Sequence, residues 1–167
     1  IARIAPAVAK AAMDSGVATR PIADLEAYAE KLTEFVYKTS LFMRPVFNQA
    51  RKDIKRIVLT EGEDERVLHA AQQVVSQKLA FPILVGDAKL IEERLHSQGL
   101  TIQPGKDFEL IDIKNSPYYE ASWKEYYNLR KRSGVTEEMA RRRLKANTTL
   151  VGALLVRLGH ADGLVCG

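Results

Sequence analysis

The sequence predicts an α/β protein, with an N-terminal helical linker followed by part of a doubly wound, mainly parallel sheet flanked by helices. Three observations predict it. Short β-branched runs occur at Arg56–Thr60, Phe81–Gly86 and Phe108–Ile113. Helical patterns of 10 to 15 residues separate them, which is the alternation of a parallel sheet. Before residue 54 only helical periodicity is found, so the change of grammar near that position marks a boundary.

In chain order, Ile1 to Ser15 reads as a helix, with Ile4, Val8, Ala11 and Ala12 on one face and Gly16 where a C-terminal glycine cap belongs. Thr19-Arg20-Pro21-Ile22 reads as an extended link, because a residue before proline avoids the helical region. Asp24 caps a second helix through about Tyr37, whose stripe is Leu25, Tyr28, Ala29, Leu32, Phe35 and Val36. Ser40 to about Asp53 forms a third, in which Pro45 is either a first-turn proline or a kink. After the first strand, Asp64 starts a helix with Val67, Leu68, Ala71, Val74 and Val75 inward, and Asp87 to about Ser97 forms the next. Three helices follow at about 118–132, 136–145 and 148–158, before a strand at 163–166. The helix from Thr148 to Leu158 is apolar almost all round, so it should be central, with Asn147 as its N-cap and Gly159 as its stop.

Composition narrows the class. The chain has 167 residues, 46% hydrophobic and 28% charged, as in water-soluble globular domains. No apolar run reaches the ~20 residues of a membrane span, and Arg3 and Lys10 interrupt the first segment where a secretory signal would be apolar. A single cysteine, Cys166, excludes an internal disulfide and suits a reducing cytoplasm. The net charge of +4 is concentrated: Arg130, Lys131, Arg132, Arg141, Arg142, Arg143 and Lys145 stand against Glu137 and Glu138 alone. So local a patch does not make a nucleic-acid-binding face. It is either a solvated helix surface or a seat for a small polyanion such as a nucleotide phosphate.

Few residues invite chemistry. There is no G-x-G-x-x-G and no G-x-x-x-x-G-K-S/T. The nearest strand-to-helix turn, Glu61-Gly62-Glu63-Asp64-Glu65-Arg66, carries acids that would repel a phosphate and that suit helix capping instead. His69, His96 and His160 lack metal-ligand spacing and read as solvated surface residues. Cys166, in an apolar strand, reads as an inert buried thiol. The acids of Glu92-Glu93 and of Glu137-Glu138 are adjacent on helices, so their side chains diverge by ~100° and cannot share a proton. Trp123, Tyr126, Tyr127 and Arg130 fall at spacings that put them on one side of a helix. Arg130 is then either a snorkelling edge residue or an anion ligand held by aromatic packing.

Two stretches resemble known families. Ile4 to Ile22, with Ala5-Pro6-Ala7-Val8-Ala9 and Val17-Ala18-Thr19-Arg20-Pro21-Ile22, resembles the end of the malic domain of bacterial NADP-dependent malic enzymes. From Lys55 the chain resembles the first half of phosphate acetyltransferases. The matching pieces are Leu59-Thr60-Glu61-Gly62-Glu63-Asp64-Glu65-Arg66, Tyr126-Tyr127-Asn128-Leu129-Arg130-Lys131-Arg132-Ser133-Gly134 and Leu158-Gly159-His160-Ala161-Asp162-Gly163-Leu164-Val165-Cys166-Gly167. Both in this order resemble the large hybrid malic enzymes. The resemblance implies three regions: the end of a malic domain at 1–22, a helical linker at 23–54, and the first half of a phosphate acetyltransferase-like domain at 55–167.

It further implies a parent that oxidatively decarboxylates malate to pyruvate with NADP and Mg2+ or Mn2+. The catalytic, cofactor and metal residues of such a parent would lie outside this chain, and the one family position carried onto it is Arg130, near the ligand cleft. The expected partners are acetyl-CoA, as allosteric effector, and further copies of the same protein, with no nucleic acid and no membrane. Ala146-Asn147-Thr148-Thr149 stands where the transferases have Asp-Pro-x-Tyr/Phe, and Cys166 where serine is usual. Both departures suit a domain that keeps the fold without the chemistry. An active acetyltransferase and a pure assembly module are the alternatives. Because the chain opens without methionine and closes in an apolar strand, it is expected to be an internal piece of a larger cytoplasmic protein with no complete active site of its own.

Overall fold

A computed structural model describes residues 4–36, 38–112 and 115–167, with the backbone alone for residues 33–36 and 38–42. The chain divides into two compact units, Ile1–Gln49 and Ala50–Gly167.

In the first unit, α1 (Ile4–Asp14) and α2 (Leu25–Val36) are joined by a turn in which Gly16 adopts φ 73°. That left-handed conformation lets Val17 N–H reach back to the Ala12 carbonyl at 3.1 Å, as a helix-ending glycine does. Asp24 Oδ1 accepts from the amides of Glu26 and Ala27 at 3.0 and 2.9 Å, capping α2. No residue of α1 is buried within the described structure, and Ile4 and Val8 of its apolar face are exposed. Helix α3 (Lys38–Lys52) starts two residues before its expected onset and runs through Pro45, so this proline is a mid-helix residue rather than a first-turn one. The expectations for Ile1 and Tyr37 lie outside the described residues.

The second unit is built on β1 (Lys55–Leu59), β2 (Ala80–Val85), β3 (Glu109–Ile111) and β4 (Gly163–Val165). All pairings are parallel, in the order β3-β2-β1-β4, with Val58 opposite both Ile83 and Leu164. Alternation along the strands sends Val58, Ile83, Val85 and Ile111 into one core cluster and Leu84 into another. The first cluster is completed by α6 (Tyr119–Arg130), α7 (Glu137–Ala146) and α8 (Thr148–Arg157), through Trp123, Leu144, Val151, Leu154 and Leu155. The second is completed by α4 (Glu65–Ser76) and α5 (Ala88–Ser97), through Leu68, Ala71, Ile91 and Leu95. Helices therefore cover both faces, and the doubly wound α/β architecture is what the alternation of patterns predicts.

The second unit also departs from expectation in its elements. The helix expected over 118–132 ends at Arg130 and tightens into a 3-10 turn, Lys131–Ser133, stopped by Gly134 at φ 81°. The third strand is shorter than the run that suggests it, and Ile113 is outside the described residues. The last strand is not buried. Among the described residues β4 pairs with β1 alone, so it is an edge, Val165 is 58% exposed, and Cys166 is an exposed thiol rather than a buried one.

At Gly152, α8 comes close to β1 and the residue that follows it. A Cβ on Gly152 would lie 2.7 Å from Thr60 Cγ2 and 3.2 Å from Val58 Cγ1, so the helix backbone rests directly on the strand. In an open helix Gly→Ala would stabilise by about 1 kcal/mol. Here the overpacking, typically 1–3 kcal/mol, should reverse the sign. Gly152→Ala is expected to lower the urea-unfolding free energy by about 1 kcal/mol, and to cost less in a Thr60→Ser background that lacks the opposing methyl. Equal costs in the two backgrounds would contradict the packing described.

Candidate ligand cleft at the C-terminal edge of the sheet

In parallel sheets, ligands bind outside the carboxyl ends of the strands. Here that edge is formed by the turns after β1 and β2, the end of β3, and the start of α8. Gly62 donates its N–H to the Val85 carbonyl at 3.1 Å, and a Cβ there would meet the same oxygen at 2.8 Å, so only glycine lets the two turns touch. The contact brings Glu63 across to the next turn. Its Oε1 accepts from Asp87 N–H at 2.8 Å, and its backbone carbonyl accepts from the Arg94 guanidinium. Asp87 itself caps α5. Asp64 caps α4 through the Arg66 amide and pairs with the Arg66 side chain at 2.9 Å. The acids of this turn thus serve the two helix starts, one of them across a separation of 24 residues.

Behind these turns lies a cavity of about 600 Å³. Glu63, Asp87, Glu93 and Asp112 line it against Lys89 and Lys145, and Gly86 and Thr148 complete its wall. Thr148 belongs to the first turn of α8, where Asn147 Oδ1 accepts from Leu150 N–H at 2.8 Å. A second opening of about 390 Å³ lies on α7, lined by Tyr119, Glu138, Arg141, Arg142 and Lys145. Lys145 lines both.

The basic stretch is divided by the fold. Arg141 stacks over the buried Trp123 ring at 4.1 Å, and Lys145 approaches the Tyr119 ring at 5.4 Å. Arg143 donates to Tyr126 Oη at 2.9 Å. Three of the α6 aromatics are therefore matched by cations of α7. Arg130 is exposed at the last residue of α6, its carbonyl accepts from Val135 N–H at 3.4 Å, and its side chain lines neither opening. The Trp123 indole N–H is buried and finds no acceptor in good geometry, but it lies near enough to Glu120 to hold that carboxyl below its usual range, with Lys124 assisting.

His69 and His96 are exposed, as expected. His160 is not fully solvated: its ring stacks on Tyr118 at 4.3 Å, and Tyr118 Oη donates to Glu109 at 3.1 Å. Burial, then the Glu109 charge, pushes the Tyr118 phenol up. Among the described residues no three His, Cys, Asp or Glu side chains could together hold a metal ion, and no helix is long and apolar enough to cross a membrane.

A parallel α/β sheet with its cleft at the strand ends defines a broad class, and comparison with known proteins narrows it. Residues 41–167 match the profile of the phosphate acetyl/butaryl transferase family, and the chain belongs to that family. Over all 167 residues it is 56% identical to the NADP-dependent malic enzyme of Salmonella typhimurium strain LT2, and it spans 22% of that relative's length. It is 36% identical over 126 residues, 75% of the chain, to the phosphate acetyltransferase of Helicobacter pylori strain J99, covering 24% of that protein. The EutD phosphotransacetylase from Staphylococcus aureus superposes with a TM-score of 0.66 at 34% identity, over 75% of this chain and 38% of that one.

The cap at Asp64 makes a pH prediction. Its hydrogen bonds from the Arg66 side chain and amide hold the carboxyl at about 2, against an ordinary 3.8. A depressed folded-state value stabilises above the unfolded value and loses that contribution as pH falls through the folded one. Asparagine caps almost as well as aspartate. The stability difference between the parent and Asp64→Asn should therefore be constant above about pH 5 and shrink towards about pH 2 in urea-unfolding series. A difference that does not change over that range would contradict it.

Proposed function

We propose that this chain belongs to an NADP-dependent malic enzyme, a cytoplasmic protein that oxidatively decarboxylates malate to pyruvate while NADP is reduced, and that its α/β unit regulates that activity. The observation that carries the reading is the extent of the match. The malic enzyme aligns over all 167 residues, including the helical unit Ile1–Gln49, whereas the family profile begins at residue 41 and the Helicobacter relative aligns over 126. In this reading 1–22 ends a malic domain, 23–54 links, and 55–167 begins a phosphate acetyltransferase-like domain that senses acetyl-CoA and helps the protein to assemble with further copies of itself. NADP and a divalent Mg2+ or Mn2+ ion belong to the complete enzyme. The described residues offer neither a metal-ligating cluster nor a glycine-rich dinucleotide turn, so no step through either group is assigned to them.

An effector acts only through unequal affinity for two states of an enzyme. Arg130, exposed beside the 3-10 turn, and the cations of α7 are the residues of this chain suited to an anionic effector. The departures at Asn147-Thr148 and Cys166 from the transferase pattern favour sensing over transfer. The alternative, transfer of acetyl between acetyl phosphate and CoA, is supported by the similarity to the Staphylococcus phosphotransacetylase.

Malate-dependent NADP reduction by the complete protein should be inhibited by acetyl-CoA. Arg130→Ala should weaken that inhibition by about tenfold, the worth of one charge-assisted contact, and leave turnover without effector unchanged. Unaltered inhibition would remove Arg130 from the effector site. Robust CoA-dependent consumption of acetyl phosphate would establish the alternative.

A further inference from the structure

A second pocket lies at the other end of the sheet, where β1 and β2 begin. We propose that it binds a small organic acid, a carboxylate carried on an apolar chain. This site does not depend on the function proposed above.

The pocket has a volume of about 320 Å³, near the lower bound of small-molecule sites, about 300 Å³. Ile54, Val75 and Phe81 give it an apolar wall, and Ile54, just before β1, is 45% exposed. Arg51, Lys78 and Lys106 line it against one carboxylate, Asp107. That carboxylate is already engaged, because Asp107 Oδ2 accepts from Gln103 N–H at 2.9 Å. Among the described residues no ion pair involves Lys78 or Lys106. Arg51 is anchored beside the pocket, its Nε donating to the Gln77 carbonyl at 2.9 Å where α4 ends. Cations over an apolar wall suit a ligand with one anionic end and an uncharged body.

Lys78 supplies an independent observation. It ends α4 in the left-handed conformation, at φ 55°. Its N–H reaches the Val75 carbonyl and the Leu79 N–H reaches the Val74 carbonyl, both at 3.0 Å. The same pair of bonds closes helical segments at Gly16, Gly99, Gly134 and Gly159, all with positive φ. A Cβ at any of those glycines would meet nothing within 4 Å, so conformation rather than space selects glycine there. At the equivalent place on α4 the lysine Cβ is strained, and strain of this kind gathers where a side chain serves a site. The side chain that carries this strain borders the pocket.

The test is calorimetric titration of the complete protein with octanoate, with octan-1-ol and acetate as controls for the charge and for the chain. Octanoate should bind saturably at millimolar concentrations, and both controls at least about tenfold more weakly. Lys106→Gln and Lys78→Gly should each weaken octanoate binding about tenfold. Lys78→Gly should also raise the urea-unfolding midpoint, since glycine relieves the left-handed strain. No octanoate binding by the unaltered protein, or equal binding by both variants, overturns the site. Octanol or acetate binding as tightly as octanoate overturns the ligand class. A lowered midpoint in Lys78→Gly would show that the lysine serves the fold, and would remove the argument from strain.

Discussion

The second unit depends on how closely α8 approaches β1. With no side chain at Gly152, the helix backbone settles onto Thr60 and Val58, and Val151, Leu154 and Leu155 fill the space on either side. β1 is an inner strand, paired with β2 and with β4, so whatever rests on it is positioned relative to the whole sheet. The α8 N-terminus is thereby carried to the strand ends, where Thr148 walls the cavity. Helices α6 and α7 pack against α8 in turn, with Trp123 and Leu144 in the same core cluster. The face on which Arg141 stacks is thus set by packing that begins at one glycine.

Around that frame the charges are sorted rather than mixed. Acids gather at the turns after β1 and β2, where Asp64 and Asp87 cap helices and Glu63 ties the two turns together. Cations gather on α7 and are spread over the aromatic faces of α6. Acids thus line the cavity at the strand ends, and cations lie on α7 beside it. That asymmetry is the physical content of the proposed regulatory role, and it requires no catalytic group from this chain.

The local features were legible in the sequence. Asp24, Asp64, Asp87 and Asn147 act as caps and Gly16 and Gly159 as stops because capping is decided within a turn of the chain. The strand–helix alternation likewise predicts the sheet, since a parallel crossover needs those lengths. What could not be read is non-local. Glu63 looks like one more acid of its own turn, and only the Gly62–Val85 contact reveals that it serves Asp87. The spacing of Trp123, Tyr126, Tyr127 and Arg130 suggests a self-contained cluster on one helix. In the fold, Arg141 and Arg143 of a different helix meet Trp123 and Tyr126 instead. The apolar sequence of β4 reports what the strand can pack against; among the described residues only β1 pairs with it, and Val165 is exposed.

The comparison that identifies the family concerns ancestry, and regulation is a matter of binding energy. The most direct measurement of the central claim is therefore a calorimetric titration of the complete protein with acetyl-CoA, under conditions in which it oxidises malate. The account predicts saturable binding and no turnover of acetyl phosphate by the same preparation. An active malic enzyme that takes up no acetyl-CoA would contradict it.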